Sequence, residues 1–346
     1  MWDRLSECGK PVVIYGMGNG ADKIADRLLS KGIEVSDFFA SDGFVRGQSF
    51  RGKTVLSFND IKEKYKDFVI LVAFATRLRE VLDVIYELDE KYELYAPDVP
   101  VAGEEIFDAS FFEAHAEEIE RVRQILADDE SLRIFNSVIE YKLSGRVEFL
   151  RRAVSRREDV ISSLLRAGEY TAVCDAGAYD GDTVREFMEE FKNVRRIIAL
   201  EPDHKNYRKL VSFSEANGMG KVEPYNCGAW NKDCIVPFDA AGNRNSRVFA
   251  GGKGTAAMRS IDGIFSGGRV DYIKYDVEGS EYEALQGSSK TIRMYSPDLC
   301  VSVYHRSSDI FRLPLYIHEL EPEYRLYMRR FEYVPAWDLN IYACKK

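Results

Sequence analysis

Between Tyr170 and Thr183 the chain reads YTAVCDAGAYDGDT, the stretch around which the rest is organised. Thr171 to Cys174 are strand-like, Asp175 follows, and Gly177 and Gly181 stand at a D-x-G-x-x-x-G spacing before the helical run VREFMEEF. The pattern predicts a buried parallel strand, a tight glycine turn and a helix N-terminus with unpaired N–H groups. Glycines at 177 and 181 let the backbone bend and approach a ligand that a β-carbon would push away. One strand–glycine–helix unit is a weak signal by itself. The next strand, VRRIIAL, strengthens it by ending in Glu201, 26 residues after Asp175. An acid at that strand end is placed to accept hydrogen bonds from a ribose diol. A ribose-bearing ligand is therefore expected, either a dinucleotide or S-adenosylmethionine.

The 346 residues exceed one average domain, and the chain divides into three stretches. Residues 1–105 read as a small Rossmann-like α/β domain. Its opening, PVVIYGMGNGADKIADRLLSKGIEVSDFF, repeats the strand–glycine–helix order, with Gly16, Gly18 and Ala21 as G-x-G-x-x-A. That turn either holds a ligand or only closes a strand on a helix, and Asp42, in a Ser-Asp-Gly turn, matches a ribose-binding acid poorly. Residues 106–168 turn helical, with stripes such as Ile119/Val122/Leu126 and Leu132/Phe135/Val138/Ile139, and read as a helical connector. Residues 169–346 hold the second α/β unit: KVEPYNCGAW as third strand, VDYIKYD ending at Asp276, DLCVSVYH, then an antiparallel hairpin from YRLYMRRFEY and LNIYACKK. A Gly/Asn-rich insertion, Ala240 to Ala257, is expected as a lid over the acceptor or as a hairpin without a role.

A net charge of −9 argues against a general nucleic-acid or anionic-membrane binder. Six dispersed cysteines without a C-x-x-C read as reduced; Cys174, Cys227 and Cys300 lie in apolar runs and are expected as small buried hydrophobes. The N-terminus lacks the apolar core of a signal peptide, and no apolar run has the length of a membrane span, so a cytoplasmic protein is expected. Four scattered histidines show no metal-ligand spacing, and no metal site is expected. A homodimer is left open.

The run VCDAGAYDGDT, the acid in ALEPD, the NCGAW strand and above all IKYDVEGSEYEALQG resemble the FkbM-type branch of class I S-adenosylmethionine-dependent methyltransferases. The D-V-E-G-x-E segment, Asp276 to Glu281, is the most specific of these, and the resemblance runs from Tyr170 to Lys346. It implies a doubly wound sheet closed by an antiparallel hairpin, with S-adenosylmethionine as methyl donor. By resemblance the turn Asp175, Gly177, Ala178, Tyr179, Asp180 and Gly181 would contact the cofactor's methionine part, and Glu201 its ribose. Asn226, Cys227 and Gly228 would lie near adenine. The fifth strand runs into Tyr304-His305-Arg306 where the resemblance leads one to expect a carboxylate. The first hundred residues are similar, more weakly, to Rossmann-like domains found with sugar-modifying enzymes.

In a doubly wound sheet the first and fourth strands meet at the switch point, which brings the Asp175–Gly181 turn beside Asp276–Glu281. A hydroxyl acceptor must lose its proton as the methyl bond forms, and three side chains are candidates to take it: Asp276, Glu278 and His305. Asp276 could instead bind the cofactor or cap the next helix, and Glu278 could orient the acceptor. Glu281, in the first helical turn, reads as structural. For His305 the expectation is a neutral imidazole accepting a proton near pH 7. The reading is methyl transfer to a small acceptor, most simply a hydroxyl of a sugar or related metabolite. Two rivals are an NAD-dependent two-domain oxidoreductase using the Gly16–Ala21 turn, and a non-enzymatic nucleotide-sugar-binding or interaction protein.

Overall fold

A computed structural model describes residues 1–217, 220–239, 247–248 and 251–345. The N-terminal sheet has four parallel strands, β1 (Val12–Tyr15), β2 (Val35–Phe39), β3 (Val69–Val72) and β4 (Glu93–Tyr95), in the order β2-β1-β3-β4. Strands β1 and β3 are buried along their whole length, as a sheet covered by helices on both faces requires. At the G-x-G-x-x-A turn, a β-carbon on Gly20 would stand 2.3 Å from the carbonyl oxygen of Ala73, so close helix–strand packing accounts for that glycine.

The second sheet has seven strands: β5 (Ala172–Ala176), β6 (Arg196–Leu200), β7 (Val222–Tyr225), β8 (Tyr272–Tyr275), β9 (Asp298–Ser302), β10 (Arg325–Arg330) and β11 (Leu339–Cys344). Their order is β10-β11-β9-β8-β5-β6-β7, with β5 to β9 parallel and the β10–β11 hairpin antiparallel on β9. Chain order reverses between β5 and β8, which creates the switch-point crevice expected for the α/β unit. Alternation predicts the hairpin with one open face, yet all six residues of β11 are buried. The third strand of the sequence reading is split. Val222–Tyr225 joins the large sheet, and Gly228–Ala229 joins a small separate sheet with Cys234–Asp239, Arg247–Val248 and Gly254–Arg259. Of the expected lid, residues 240–246 and 249–250 lie outside the described residues.

Three stretches of chain share one apolar core. Val13, Ile70 and Leu94 of the N-terminal sheet, Phe135 and Val138 of the helix Asp129–Ser144, and Ile273, Val301 and Ile341 of the large sheet belong to a single buried cluster. The Asp129–Ser144 helix is locally specified at both ends: Asp128 Oδ1 accepts from the Ser131 N–H at 2.8 Å, and Gly145 ends it at φ +68°. It is tied to both neighbours, through Lys142 Nζ to Asp98 (2.6 Å) on one side and through its Asp128 cap to Arg329 of β10 (2.6 Å) on the other. None of the six cysteines is in a disulfide, and Cys174, Cys227 and Cys300 are buried as expected. Among the described residues no helix is long and apolar enough to cross a membrane.

Candidate active site

Strand β8 lies against β5, and the Asp276 N–H donates to the carbonyl of Ala176 at 3.0 Å just beyond their last paired residues. The loops that follow the two strands are thereby pressed together. A β-carbon on Gly177, whose φ is +99°, would stand 2.0 Å from the carbonyl oxygen of Asp276. The first glycine of the D-x-G turn is thus required by the approach of the Asp276 loop. Gly181, at φ +97°, leaves room for the ring of Phe213.

Over these strand ends lies a cleft of about 460 Å³, within the range of small-molecule sites. One end is lined by Gly177, Tyr179, Glu201 and Gly228, with Pro202 and Met258 as apolar wall. Glu201 is 6% exposed. One of its oxygens accepts from the Tyr179 N–H at 2.9 Å and the other from the Asp203 N–H at 2.8 Å. Burial pushes this carboxyl up to about 7, against those backbone donors, which favour the charged form. The Asn206 side chain is a third donor to the carboxylate, which leaves one of its four lone-pair positions open to a further donor. Asn226 braces the same corner by donating to the Glu201 carbonyl at 2.9 Å.

Other residues expected at this end do not line the cleft. Ala178, Asp180, Gly181, Asn226 and Cys227 lie outside its lining, as does Asp175. Asp175 is fully buried, and among the described residues neither carboxylate oxygen has a hydrogen-bond partner. Parallel register sets it beside Lys274 of β8, whose Nζ lies 3.9 Å from its Oδ1. Burial raises the Asp175 carboxyl to about 7, with Lys274 acting in the opposite direction. The reason for the displacement is position in the strand. Asp175 is a paired β5 residue whose short side chain ends in the interior, whereas the longer side chain of its register partner Lys274 reaches the cleft and Gly177 and Tyr179 lie in the turn beyond.

The middle of the cleft is built from the loop after β8 and the end of β9. Lys274 and Asp276 are two residues apart and both reach the cleft, as strand alternation places them on one face. Lys274 Nζ lies 3.3 Å from Asp276 Oδ2 and donates to Thr183 Oγ1 at 3.2 Å. Asp276 Oδ1 accepts from Ser302 Oγ at 3.0 Å and from the Tyr304 hydroxyl at 3.2 Å. Burial pushes the Asp276 carboxyl up, but Lys274 and then His305 more than offset it, and the group is held below the ordinary carboxylate range.

His305 is 1% exposed. Its Nδ1 lies 2.9 Å from Glu281 Oε1, and its Nε2 lies 3.6 Å from both Asp276 Oδ1 and Glu278 Oε2. Burial alone would lower the imidazole, yet Glu281, Glu278 and Asp276 together raise it to about 10. The neutral imidazole expected from sequence does not fit this setting. Raised so far by the surrounding carboxylates, the imidazole favours its charged form, in which neither ring nitrogen has a lone pair to take a proton. Glu281 keeps its expected structural place, since its Oε1 also accepts from the Val277 N–H at 2.8 Å and so fixes the loop. Glu278, at φ +54°, lines the cleft.

Beyond Asp276 the cleft is walled by Tyr304, Tyr333 and Trp337, and by Arg157, Arg77 and Val101. The last two come from the N-terminal stretch. A strap there is bound to the site: the Ala102 N–H donates to the His305 carbonyl at 2.9 Å, and Ser307 Oγ donates to the Glu105 carbonyl at 2.6 Å. Arg306 Nε donates to the Gly279 carbonyl at 2.7 Å. Sequence reasoning missed Lys274, Ser302, Arg77 and this strap. For Lys274 a signal existed, a lysine two residues before Asp276 inside an otherwise apolar buried strand. Arg77 and Ala102 carry no local signal, because the segments they meet lie in the far half of the chain.

A family model described as "Methyltransferase FkbM domain" matches residues 175–335. Those residues form a methyltransferase FkbM domain. It contains the D-x-G turn, Glu201, the Asp276–Glu281 loop and His305, and its type is that of S-adenosylmethionine-dependent methyltransferases. No curated protein sequence matches the chain. Among solved structures, methyltransferase FkbM from Methylobacillus flagellatus KT is similar at 22% identity over 96% of this chain and 90% of that one, with a TM-score of 0.74. That likeness is one of fold, and it extends past the FkbM domain into the N-terminal stretch. A putative methyltransferase from Streptococcus mutans, solved with S-adenosylhomocysteine, matches 56% of this chain and 99% of its own at 10% identity and a TM-score of 0.37. Fibrillarin from Aeropyrum pernix, solved with S-adenosylmethionine, matches 52% of this chain and 68% of its own at 13% identity and a TM-score of 0.34.

Proposed function

We propose that this protein transfers a methyl group from S-adenosylmethionine to a hydroxyl of a sugar or related small metabolite. The observation that carries the reading is the continuity of the cleft, from Gly177, Tyr179 and Glu201 at one end to Asp276, Glu278 and the aromatic wall at the other. Residues 169–346 would supply the cofactor site and the reacting groups, and residues 1–105 would complete the acceptor wall.

The residues suit that cofactor. Glu201 retains acceptor capacity for a ribose diol, and Pro202, Phe238 and Met258 offer an apolar wall for adenine. Asp276 and Glu278 give the cleft negative charge, which favours a sulfonium. The bound cofactor supplies an electrophilic methyl on a good leaving group, and the protein's work is alignment and exclusion of water. Asp276 is the group placed to accept the acceptor's proton as the oxygen–methyl bond forms and the sulfur–methyl bond breaks. Its low basicity suits a late proton transfer, when the methylated oxygen has become strongly acidic. Glu278 orients the acceptor hydroxyl, and His305 helps to hold the Asp276 carboxyl in its charged form. Lys274 does the same from the other side of Asp276.

Incubation with S-adenosylmethionine and matched hydroxyl- and amine-bearing acceptors, read by mass spectrometry of the products, tests the acceptor chemistry. Methylation confined to hydroxyl compounds supports the reading. Methylation of amines alone overturns it.

A further inference from the structure

Arg77 belongs to the wall of the cleft although it comes from the N-terminal stretch, outside the FkbM domain. The loop that carries it is fixed to the far end of the chain. Thr76 and Val334 exchange backbone hydrogen bonds, Thr76 N–H to the Val334 carbonyl at 2.8 Å and Val334 N–H to the Thr76 carbonyl at 3.0 Å. Thr76 Oγ1 also accepts from the Leu78 N–H at 3.2 Å. Arg77 is thus held next to the segment that bears Tyr333 and Trp337. The neighbouring guanidinium groups are neutralised: Arg157 pairs with Glu186 at 3.1 Å and Asp338 at 3.3 Å, and Arg79 pairs with Asp83 at 2.8 Å and Glu332 at 3.3 Å. Among the described residues Arg77 makes no ion pair and no hydrogen bond through its side chain. It precedes the helix Arg79–Lys91, whose N-cap, Leu78, makes no side-chain capping hydrogen bond.

The wall beside it is aromatic. Tyr333 and Trp337 have ring centroids 5.7 Å apart, and Trp337 and Tyr304 stack at 6.1 Å. Flat apolar faces of this kind suit the C–H face of a sugar ring. Asp276 and Glu278 line the same cleft and would repel an anion, and neither pairs with Arg77. The cleft therefore has an acidic reacting region and, where Arg77 stands exposed at its wall, a cation without an ion-pair partner among the described residues.

We propose that the acceptor carries an anionic oxygen group, a carboxylate or a phosphate, and that Arg77 binds it while the acceptor's hydroxyl faces Asp276. This rests on the hydroxyl-methylation reading above and adds to it a charge on the substrate and a specificity residue from the N-terminal stretch. The planar guanidinium matches two oxygens of either group at once, which a lysine would not do.

The test is an NMR titration of the full chain with inorganic phosphate and, separately, acetate, with and without S-adenosylhomocysteine. The readouts are the Arg77 Nε–H and Trp337 indole N–H resonances. The expected result is a saturable shift of both with one anion. In R77Q the affinity read from the Trp337 shift should fall about tenfold or more, and R77K should lie between. Tighter phosphate binding assigns a phosphorylated acceptor, and tighter acetate binding a carboxylated one. A Trp337 shift that persists in R77Q, or no shift of Arg77 with either anion, overturns the proposal. Failure of S-adenosylhomocysteine to bind would instead contradict the methyl-transfer reading, and the anion result would stand apart from it.

Discussion

His305 Nδ1 and Glu281 Oε1 lie 2.9 Å apart, and both side chains are 1% exposed. A buried imidazole with carboxylates near both ring nitrogens is a strut, and its loss takes from the buried Glu281 its ion-pair partner. H305A is expected to destabilise the fold by about 3–5 kcal/mol, the range for breaking a buried ion pair from one side. Thermal or denaturant unfolding measures it. A loss within the scatter of surface substitutions would contradict the ion-pair account.

The same pair predicts a pH dependence. The folded imidazole is raised to about 10 from an ordinary value of 6.5. Its stabilisation is therefore fully present below 6.5 and is lost as pH rises towards 10. Stability measured across that window should fall for the parent chain, and the fall should be smaller in H305Q. Parallel curves for the two proteins would refute it.

Lys274 predicts a shift at Asp276. Replacing it with methionine leaves burial, which pushes the Asp276 carboxyl up, opposed chiefly by His305. The Asp276 carboxyl should titrate at higher pH in K274M, followed by the carbon-13 resonance of its side chain. A titration at unchanged or lower pH would show that Lys274 does not hold the charge.

Gly279 tests the strap. It sits at φ +94°, and a β-carbon there would stand 2.4 Å from Cβ of Ala102. G279A is expected to cost about 1–3 kcal/mol through strain and overlap. Adding A102G should restore the part due to overlap and leave the part due to φ. No recovery in the double variant would mean that the strap does not constrain the Asp276–Glu281 loop.

Much of this was legible in the residues. The D-x-G turn, the acid of ALEPD and the D-V-E-G-x-E run each declare a strand end by local pattern, and strand order follows from the connection rules of doubly wound sheets. Charge state was not legible. His305 reads as a neutral base until Glu281, Glu278 and Asp276 are seen around it. The setting of Asp175 was not legible either, since Lys274, the cation beside it, lies on a strand distant in sequence. The contribution of Arg77 and Ala102 depends on contacts between the two ends of the chain, which no periodicity encodes.

The most direct test of the central claim is calorimetric titration of the full chain with S-adenosylhomocysteine, and separately with NAD⁺, repeated on E201A. The account predicts binding of the first ligand alone, weakened in E201A by about 1–3 kcal/mol for the hydrogen bonds that Glu201 would give up. Binding of NAD⁺ without S-adenosylhomocysteine, or equal affinity in E201A, would contradict it.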